Sequence, residues 1–338
     1  MTTTIGIVGL GQIGASVGLA LKSKGGPERI VGNDRDNGVQ RTAHTLGAVD
    51  ATASLRDTVK DAQIVFLCLP LGEMRETLSQ IGPLLKENTV VLDTTPIKGQ
   101  VVQWVRESIP QGRYYVGLVP TVNPDLLARS DVGIKAAEAE LFQRTTMMVV
   151  TLPDTPAGVE QLAMNVARLL GAKPMLTDPV EADGIMTTAH LLPQLAATAL
   201  IEACIGPSGW REARKLAGRP FSTGTSVAAN FDDPASVKAA ALSNSARAVH
   251  GLDVLIAALQ GLREAINEGD DKSVGERLLE SQKARELWLE ERSAAKWLTE
   301  GNEPVNLPGL GQQITQMFFG GRIADATSNI AGKLEGKK

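Results

Sequence analysis

The chain is poor in cysteine, histidine and aromatic residues. Only Cys68 and Cys204 occur in 338 residues. Cys68 lies in an apolar strand-like run and Cys204 in an apolar helix-like run, so both read as buried thiols, and neither a disulfide framework nor a thiolate metal site is expected. The three histidines, His44, His190 and His250, lack ligand spacing from one another and from the cysteines, which argues against structural zinc. Basic excess is also lacking. With 34 Lys and Arg against 38 Asp and Glu, the net charge is −4 and no nucleic-acid partner is expected. No apolar run reaches the ~18 residues of a membrane span. The amino terminus enters a strand too early to leave room for a signal peptide. No internal repeat or low-complexity tract is visible. These absences predict a cytoplasmic protein with a small-molecule partner, no membrane and no metal.

What is present is ordinary globular material, 43% apolar and 21% charged, long enough for two domains with sizeable cores. Its organising stretch is Gly9 to Gly14, G-L-G-Q-I-G. An apolar run, Ile5-Gly6-Ile7-Val8, precedes it, and a small-residue helical segment, Ala15 to Leu21, follows. Strand, tight turn and helix are the setting in which such a motif holds a dinucleotide. Gly9 turns the chain, Gly11 admits the pyrophosphate, and Gly14 lets helix and strand pack closely. Gln12 and Ile13 open the helix, whose N-terminus favours an anion. A second apolar run, Arg29 to Asn33, ends at Asp34. An acid about 20 residues past the last glycine is where a ribose 2′-hydroxyl is held. Asp34 repels a 2′-phosphate and favours NAD. Arg35, next in line, could welcome one, so NADP stays open.

Strand-like and helix-like stretches alternate to residue 177. Continuous apolar runs at Ile64–Leu69 and Thr89–Asp93 suit strands buried on both faces. Tyr114–Gly117, Thr146–Leu152 and Lys173–Thr177 add further strands, with helices at Asn37–Leu46 and Pro156–Leu170 among those between them. The expected fold is α/β: a Rossmann-type, doubly wound, mostly parallel sheet, followed by an all-α carboxyl-terminal domain. In open sheets of this kind ligands sit at the strands' carboxyl ends. Pro70-Leu71-Gly72, Thr94 to Lys98, and Val119 to Asn123 should therefore rim one crevice with the glycine turn.

Asp178-Pro179 has the chemistry of a helix start. The expected domains are 1–178 for dinucleotide binding, 179–300 for a helical substrate and dimerisation unit, and 301–338 for a linker and tail. In the tail, Ile314, Met317 and Phe318 share one helical face. The helix from Pro179 is apolar nearly all round, apart from Asp183, Thr187, His190, Gln194 and Thr198, whose three- and four-residue spacings form one stripe. Facing the crevice, that stripe would present His190 as a proton donor or acceptor. Facing solvent, it would be only the wet side of a helix. Pro193 should kink the helix.

This order of parts resembles the prephenate and arogenate dehydrogenase family. The resemblance spans roughly residues 3 to 298. It rests on the glycine motif, Gly47-Ala48-Val49-Asp50, Asp93 with Ile97-Lys98-Gly99, Gly117 and Pro120, and Leu141-Phe142. In the helical half it continues through Asp183, Pro193, Ala199-Leu200, Phe221, Thr225, Ala228, Pro234 and Asn244. It implies a nicotinamide-dependent oxidoreductase, with prephenate and tyrosine biosynthesis as the family's setting. It also implies departures at the chemistry. The family's serine falls at Pro96, its catalytic histidine at Val119, a paired-histidine motif at Leu191 and Gln194, and its substrate-holding arginine at Ser226. A family tryptophan falls near Val237.

The cofactor residues so expected are Gly9, Gly11, Gln12, Ile13, Gly14, Asp34, Arg35, Leu69, Pro70, Thr94 and Thr95. The catalytic candidates are His190, Lys98 and Asn123, with Lys98 equally able to pair with a carboxylate, and Thr187, Gln194 and Asn244 are expected to meet substrate. The reading is an NAD(P)-dependent dehydrogenase with an altered substrate. Its alternatives are a genuine prephenate dehydrogenase with replaced residues and a non-catalytic dinucleotide binder. The apolar helices exceed what one small domain can bury, which predicts a homodimer.

Overall fold

A computed structural model describes residues 3–25, 29–129, 131–230 and 233–295. Its first part alternates strands and helices: β1 Thr4–Val8, α1 Gln12–Ser23, β2 Arg29–Asn33, α2 Asn37–Thr45, β3 Ala51–Thr52, α3 Leu55–Val59, β4 Ile64–Leu67, α4 Leu71–Ile81, β5 Val90–Asp93, α5 Gly99–Ser108, β6 Tyr114–Val119, β7 Thr145–Val150, α6 Ala157–Leu169 and β8 Ala172–Thr177. The eight strands form one sheet in the order β3-β2-β1-β4-β5-β6-β7-β8. Every pairing is parallel except β6 with β7. The chain leaves β1 toward β2 on one side and returns to β4 on the other, so strand order reverses at β1 and β4. That is where a ligand crevice opens in such sheets.

The apolar runs are continuous because both sheet faces are covered. Ile5, Ile7, Ile64 and Phe66 face one core with Val17, Leu21, Leu162 and Val166. Val65, Leu67 and Val91 face the other with Met74, Leu78, Val101 and Val105. Each fully buried large side chain contributes about 1.5–3 kcal/mol by leaving water. Between β6 and β7 the chain runs through short 3-10 turns at Pro124–Leu126 and Gly133–Ala136. One of them covers the start of α1, where the Ser16 hydroxyl accepts from the Glu138 amide at 2.9 Å.

From Asp178 onward the described residues are helical: α7 Pro179–Met186, α8 Leu192–Ile205, α9 Trp210–Leu216, α10 Arg219–Thr225, α11 Val227–Asn230, α12 Pro234–Ser243, α13 Ser245–Asn267 and α14 Asp271–Ala294. Asp178 caps α7 by accepting from the amides of Val180 and Glu181. α12 and α13 are separated at Asn244, which ends the first and precedes the second. A change of helix type precedes Pro193. The five residues before α8, Thr187–Leu191, form a π-helical turn, which absorbs the hydrogen bond that proline cannot donate.

The membrane expectation also changes. Pro179–Ile205 is one helix of 27 residues, long and apolar enough to cross a membrane by length and composition. Its polar contacts to the sheet domain, described below, identify it as part of the fold. The linker at Gly301–Pro308 and the apolar cluster Ile314, Met317 and Phe318 lie outside the described residues.

Candidate active site

The glycine turn joins β1 to α1 at the point of reversal. Gly9 has φ +88°, and a Cβ there would lie 2.2 Å from the Cys68 carbonyl oxygen at the end of β4. A Cβ on Gly14 would lie 1.9 Å from the carbonyl oxygen of Gly9. Backbone conformation or packing therefore requires both. Gly11 differs. Its φ of −67° suits any residue, and a Cβ would meet nothing within 4 Å. Neither the backbone nor the packing accounts for that glycine, whereas a ligand lying against the turn would.

Electrostatics singles out the same place. Three helices, α1, α4 and α5, begin at the carboxyl ends of β1, β4 and β5. Their N-termini carry orphan amides and a partial positive charge. The helical domain plugs two of them. Asp183 on α7 accepts from the Lys98 amide (2.6 Å) and the Gly99 amide (3.0 Å) at the start of α5. Ser236 on α12 accepts from the Gly72 amide at the start of α4 (3.2 Å). The start of α1 has no side-chain cap. It alone of the three is left for an anion such as a pyrophosphate.

Asp34 ends β2 as the sequence suggests and holds the turn itself, accepting from the Leu10 amide at 2.8 Å and the Asp36 amide at 2.9 Å. Arg35 is exposed and ion-paired with Glu73. Gln12 turns away from the crevice and donates to the Ala136 carbonyl at 3.3 Å. Leu69 lies beside Gly9, and Thr94 donates to the Leu67 carbonyl at 3.3 Å. Burial pushes the Cys68 thiol up to about 12, so it stays a neutral wall of the turn.

Lys98 is a correction. As a proton-handling candidate it would need access to substrate, yet it is wholly buried. Its Nζ donates to Asp93 Oδ2 (2.7 Å), the Asp93 carbonyl (2.9 Å) and the Leu118 carbonyl (3.4 Å). Tyr115 also donates to Asp93 Oδ2 (2.9 Å). Thr95 offers its hydroxyl to the same oxygen (3.0 Å) and its amide to Oδ1 (2.7 Å). Gly117 gives the lysine stem its room, since a Cβ there would lie 2.8 Å from Cδ and Cε. Burial pulls the ammonium below the usual lysine value against the pull of Asp93. It drives the Tyr115 hydroxyl well above its usual value, helped by the Asp93 charge. The cluster is a structural ion pair locking β5, β6 and the α5 turn together. Thr95, expected at the cofactor, belongs to it. Of Lys98's two expected fates, the carboxylate pair is the one found.

The stripe on the helix from Pro179 divides. Asp183, Thr187 and Gln194 are buried, His190 is half-buried, and Thr198 is exposed. Asn244 donates to Thr187 Oγ1 at 2.9 Å, and Thr187 donates to the Asp183 carbonyl at 2.7 Å, which joins α13 to α7. Gln194 donates to the His190 carbonyl at 3.2 Å. Burial holds the Asp183 carboxyl above the usual carboxylate value, although the two amides it accepts from pull the other way. His190 lies in the π turn, a distortion frequent at functional positions.

Asn123 is anchored locally. It donates to the Glu140 carbonyl at 3.0 Å and accepts from the Asp125 amide at 3.1 Å, which fixes its orientation. Val119 is buried in a small apolar cluster with Met148, Val150 and Ala182. Leu191 is buried in the core shared with α4 and α5. Sequence reasoning did not anticipate Tyr115, Glu73 or Ser236 at this edge. The only local hint was an acid ending a buried strand five residues before a lysine.

A doubly wound sheet with an uncapped, glycine-lined helix start at its reversal point is the arrangement by which NAD-dependent dehydrogenases hold a dinucleotide. Residues 17–176 match the family model described as prephenate dehydrogenase, nucleotide-binding domain. A cyclohexadienyl dehydrogenase from Zymomonas mobilis is 29% identical over 287 residues, covering 83% of this chain and 94% of that protein. A prephenate dehydrogenase from Bacillus subtilis is 26% identical over 205 residues, 60% of this chain and 53% of that protein. The prephenate dehydrogenase from A. aeolicus in complex with hydroxyphenyl propionate and NAD+ superposes with a TM-score of 0.73 at 22% identity, covering 84% of this chain and 98% of that one. At that identity the superposition speaks to the fold. The chain is thus similar to prephenate and cyclohexadienyl dehydrogenases, and the family-model match lies in its nucleotide-binding part.

Proposed function

We propose that the chain is an NAD-dependent dehydrogenase acting on a small alcohol-bearing substrate other than prephenate. The observation that carries the dinucleotide part is Gly11, a side chain missing where neither fold nor packing forbids one. When bound, the nicotinamide supplies the hydride acceptor. The chain's own residues do the rest. The amides opening α1 would receive the pyrophosphate, and Asp34 would hold the ribose. His190 is the side chain best placed by type to take the hydroxyl proton, with Gln194, Thr187 and Asn244 orienting the substrate.

The altered substrate rests on the resemblance together with burial. The position where the family has a catalytic histidine is Val119, enclosed by apolar neighbours, and valine cannot accept a proton. The position of the family's arginine is Ser226, which cannot make a charge-assisted fork to a carboxylate. The test is an assay with NAD and either prephenate or arogenate, alongside an NADH titration. Tight NADH binding with no turnover of either substrate supports the reading, and absence of NADH binding defeats it. A second reading keeps the family reaction, in which aromatisation supplies the driving force and a weak base suffices. Similarity over 94% of the cyclohexadienyl dehydrogenase favours it. Hydroxyphenylpyruvate formed from prephenate and NAD at useful rates would establish it. Nucleotide binding with no turnover of any 2-oxo or hydroxy acid would point to a binder only.

The functional unit in this proposal is a homodimer built on the helical domain. Leu242, Val254, Leu259 and Ile266 are exposed, and α14 exposes Leu278, Leu287 and Trp288 while burying no residue. A second copy would cover such a surface. A single-copy mass in light scattering at micromolar concentration would refute it.

A further inference from the structure

We propose that Glu73 sets the cofactor preference of this enzyme for NAD over NADP, by occupying the guanidinium that a 2′-phosphate would need. The inference rests on the dinucleotide reading above and adds a residue to it. Arg35 stands directly after Asp34, at the β2 end where the adenosine ribose is held in folds of this type. Free arginines at this place pair with a 2′-phosphate through a planar fork. Here one arm of the fork is engaged. Arg35 Nη1 is ion-paired to Glu73 Oε1.

The partners come from opposite sides of the site. Arg35 follows β2, Glu73 lies in the first turn of α4 after β4, and β1 with its glycine turn runs between those strands. The pair thus bridges over the strand that carries the dinucleotide motif. Glu73 stands in the first turn of α4, where the helix's partial positive charge favours an anion. Asp34 is fixed by its two amide donors and cannot swing away. A 2′-phosphate would therefore meet two carboxylates and one cation already neutralised. A 2′-hydroxyl asks only for the Asp34 acceptor and is indifferent to the bridge.

Glu73→Gln keeps size and removes the charge, so Arg35 is released toward the ribose. The test is a calorimetric titration of wild type, Glu73→Gln and the double variant Arg35→Ala/Glu73→Gln with NADH and NADPH at low ionic strength. The single variant should bind NADPH about fivefold more tightly than wild type while its NADH affinity stays within about twofold, a size set by the worth of one exposed ion pair. The double variant should lose that gain, which separates the released arginine from mere removal of a negative charge. An unchanged NADPH-to-NADH ratio in Glu73→Gln, with NADH still bound, overturns this inference alone, as does a gain that survives in the double variant. Failure of wild type to bind either nucleotide overturns the dinucleotide reading and this inference with it.

Discussion

Two turns at the same sheet edge have opposite fates. After β1, the chain leaves a gap: Gly11 has room for a side chain and carries none, and α1 opens with no side-chain cap. After β5, every gap is closed. Lys98 fills the space that Gly117 leaves, Asp93 gathers the lysine, Tyr115 and Thr95, and Asp183 arrives from another domain to cap α5. Both turns belong to strand–turn–helix units of the same sheet, so topology alone does not decide which binds a ligand. Satisfaction of polar groups does. The satisfied turn is scaffold, and the uncapped one is the site in the proposed reading.

The sharpest way to break this contrast is to unseal the β5 turn. Lys98→Met strands the Asp93 carboxylate without its cation, and the expected loss is about 3–5 kcal/mol in urea unfolding. A loss below about 1 kcal/mol would mean that the cluster does not hold the floor. The next effect contrasts two glycines of one motif. Gly14→Ala forces a Cβ against the Gly9 carbonyl and should cost about 1–3 kcal/mol of stability or more. Gly11→Ala should cost under about 1 kcal/mol, yet weaken NADH about tenfold in a fluorescence titration. Equal behaviour of the two variants would erase the distinction between packing glycine and ligand glycine.

Smaller still, Tyr115→Phe removes one of several donors to Asp93 and should cost about 1.5 kcal/mol in the same unfolding assay. The smallest effect is a pH dependence. The Asp183 pKa is raised in the native state, so the native chain keeps that proton to higher pH than the unfolded chain does. Its stabilising contribution is complete below the ordinary carboxylate value and is lost as pH rises through the native one. Asp183→Asn cannot titrate. The stability difference, wild type minus variant, should therefore shrink as pH climbs from that range toward neutrality. A difference that grows with pH would reverse the sign assigned to this group.

Much of the architecture was legible because it is written locally. A strand buried on both faces must be apolar at every position, as Ile64 to Leu67 are, and a tight turn announces itself with Gly9. The start of α7 was equally plain from Asp178-Pro179. What the sequence hid depends on distant partners. Nothing near Lys98 reveals that the Leu118 carbonyl and the Gly117 gap await it. The antiparallel run of β7 follows from how the chain crosses after β6, which no residue pattern in β7 encodes. The polar stripe was read with α-helical periodicity throughout. The chain instead forms a π turn at Thr187–Leu191, and Thr198, four residues past the buried Gln194, is exposed.

The caps donated by Asp183 and Ser236 tie the two halves of the molecule by a shared debt. Each half, pulled from the other, would strand amides at Gly72, Lys98 and Gly99 together, and would also uncover Leu191 and Ala248 from the core they share with α4 and α5. Parting the halves therefore breaks the polar caps and the shared apolar contacts together.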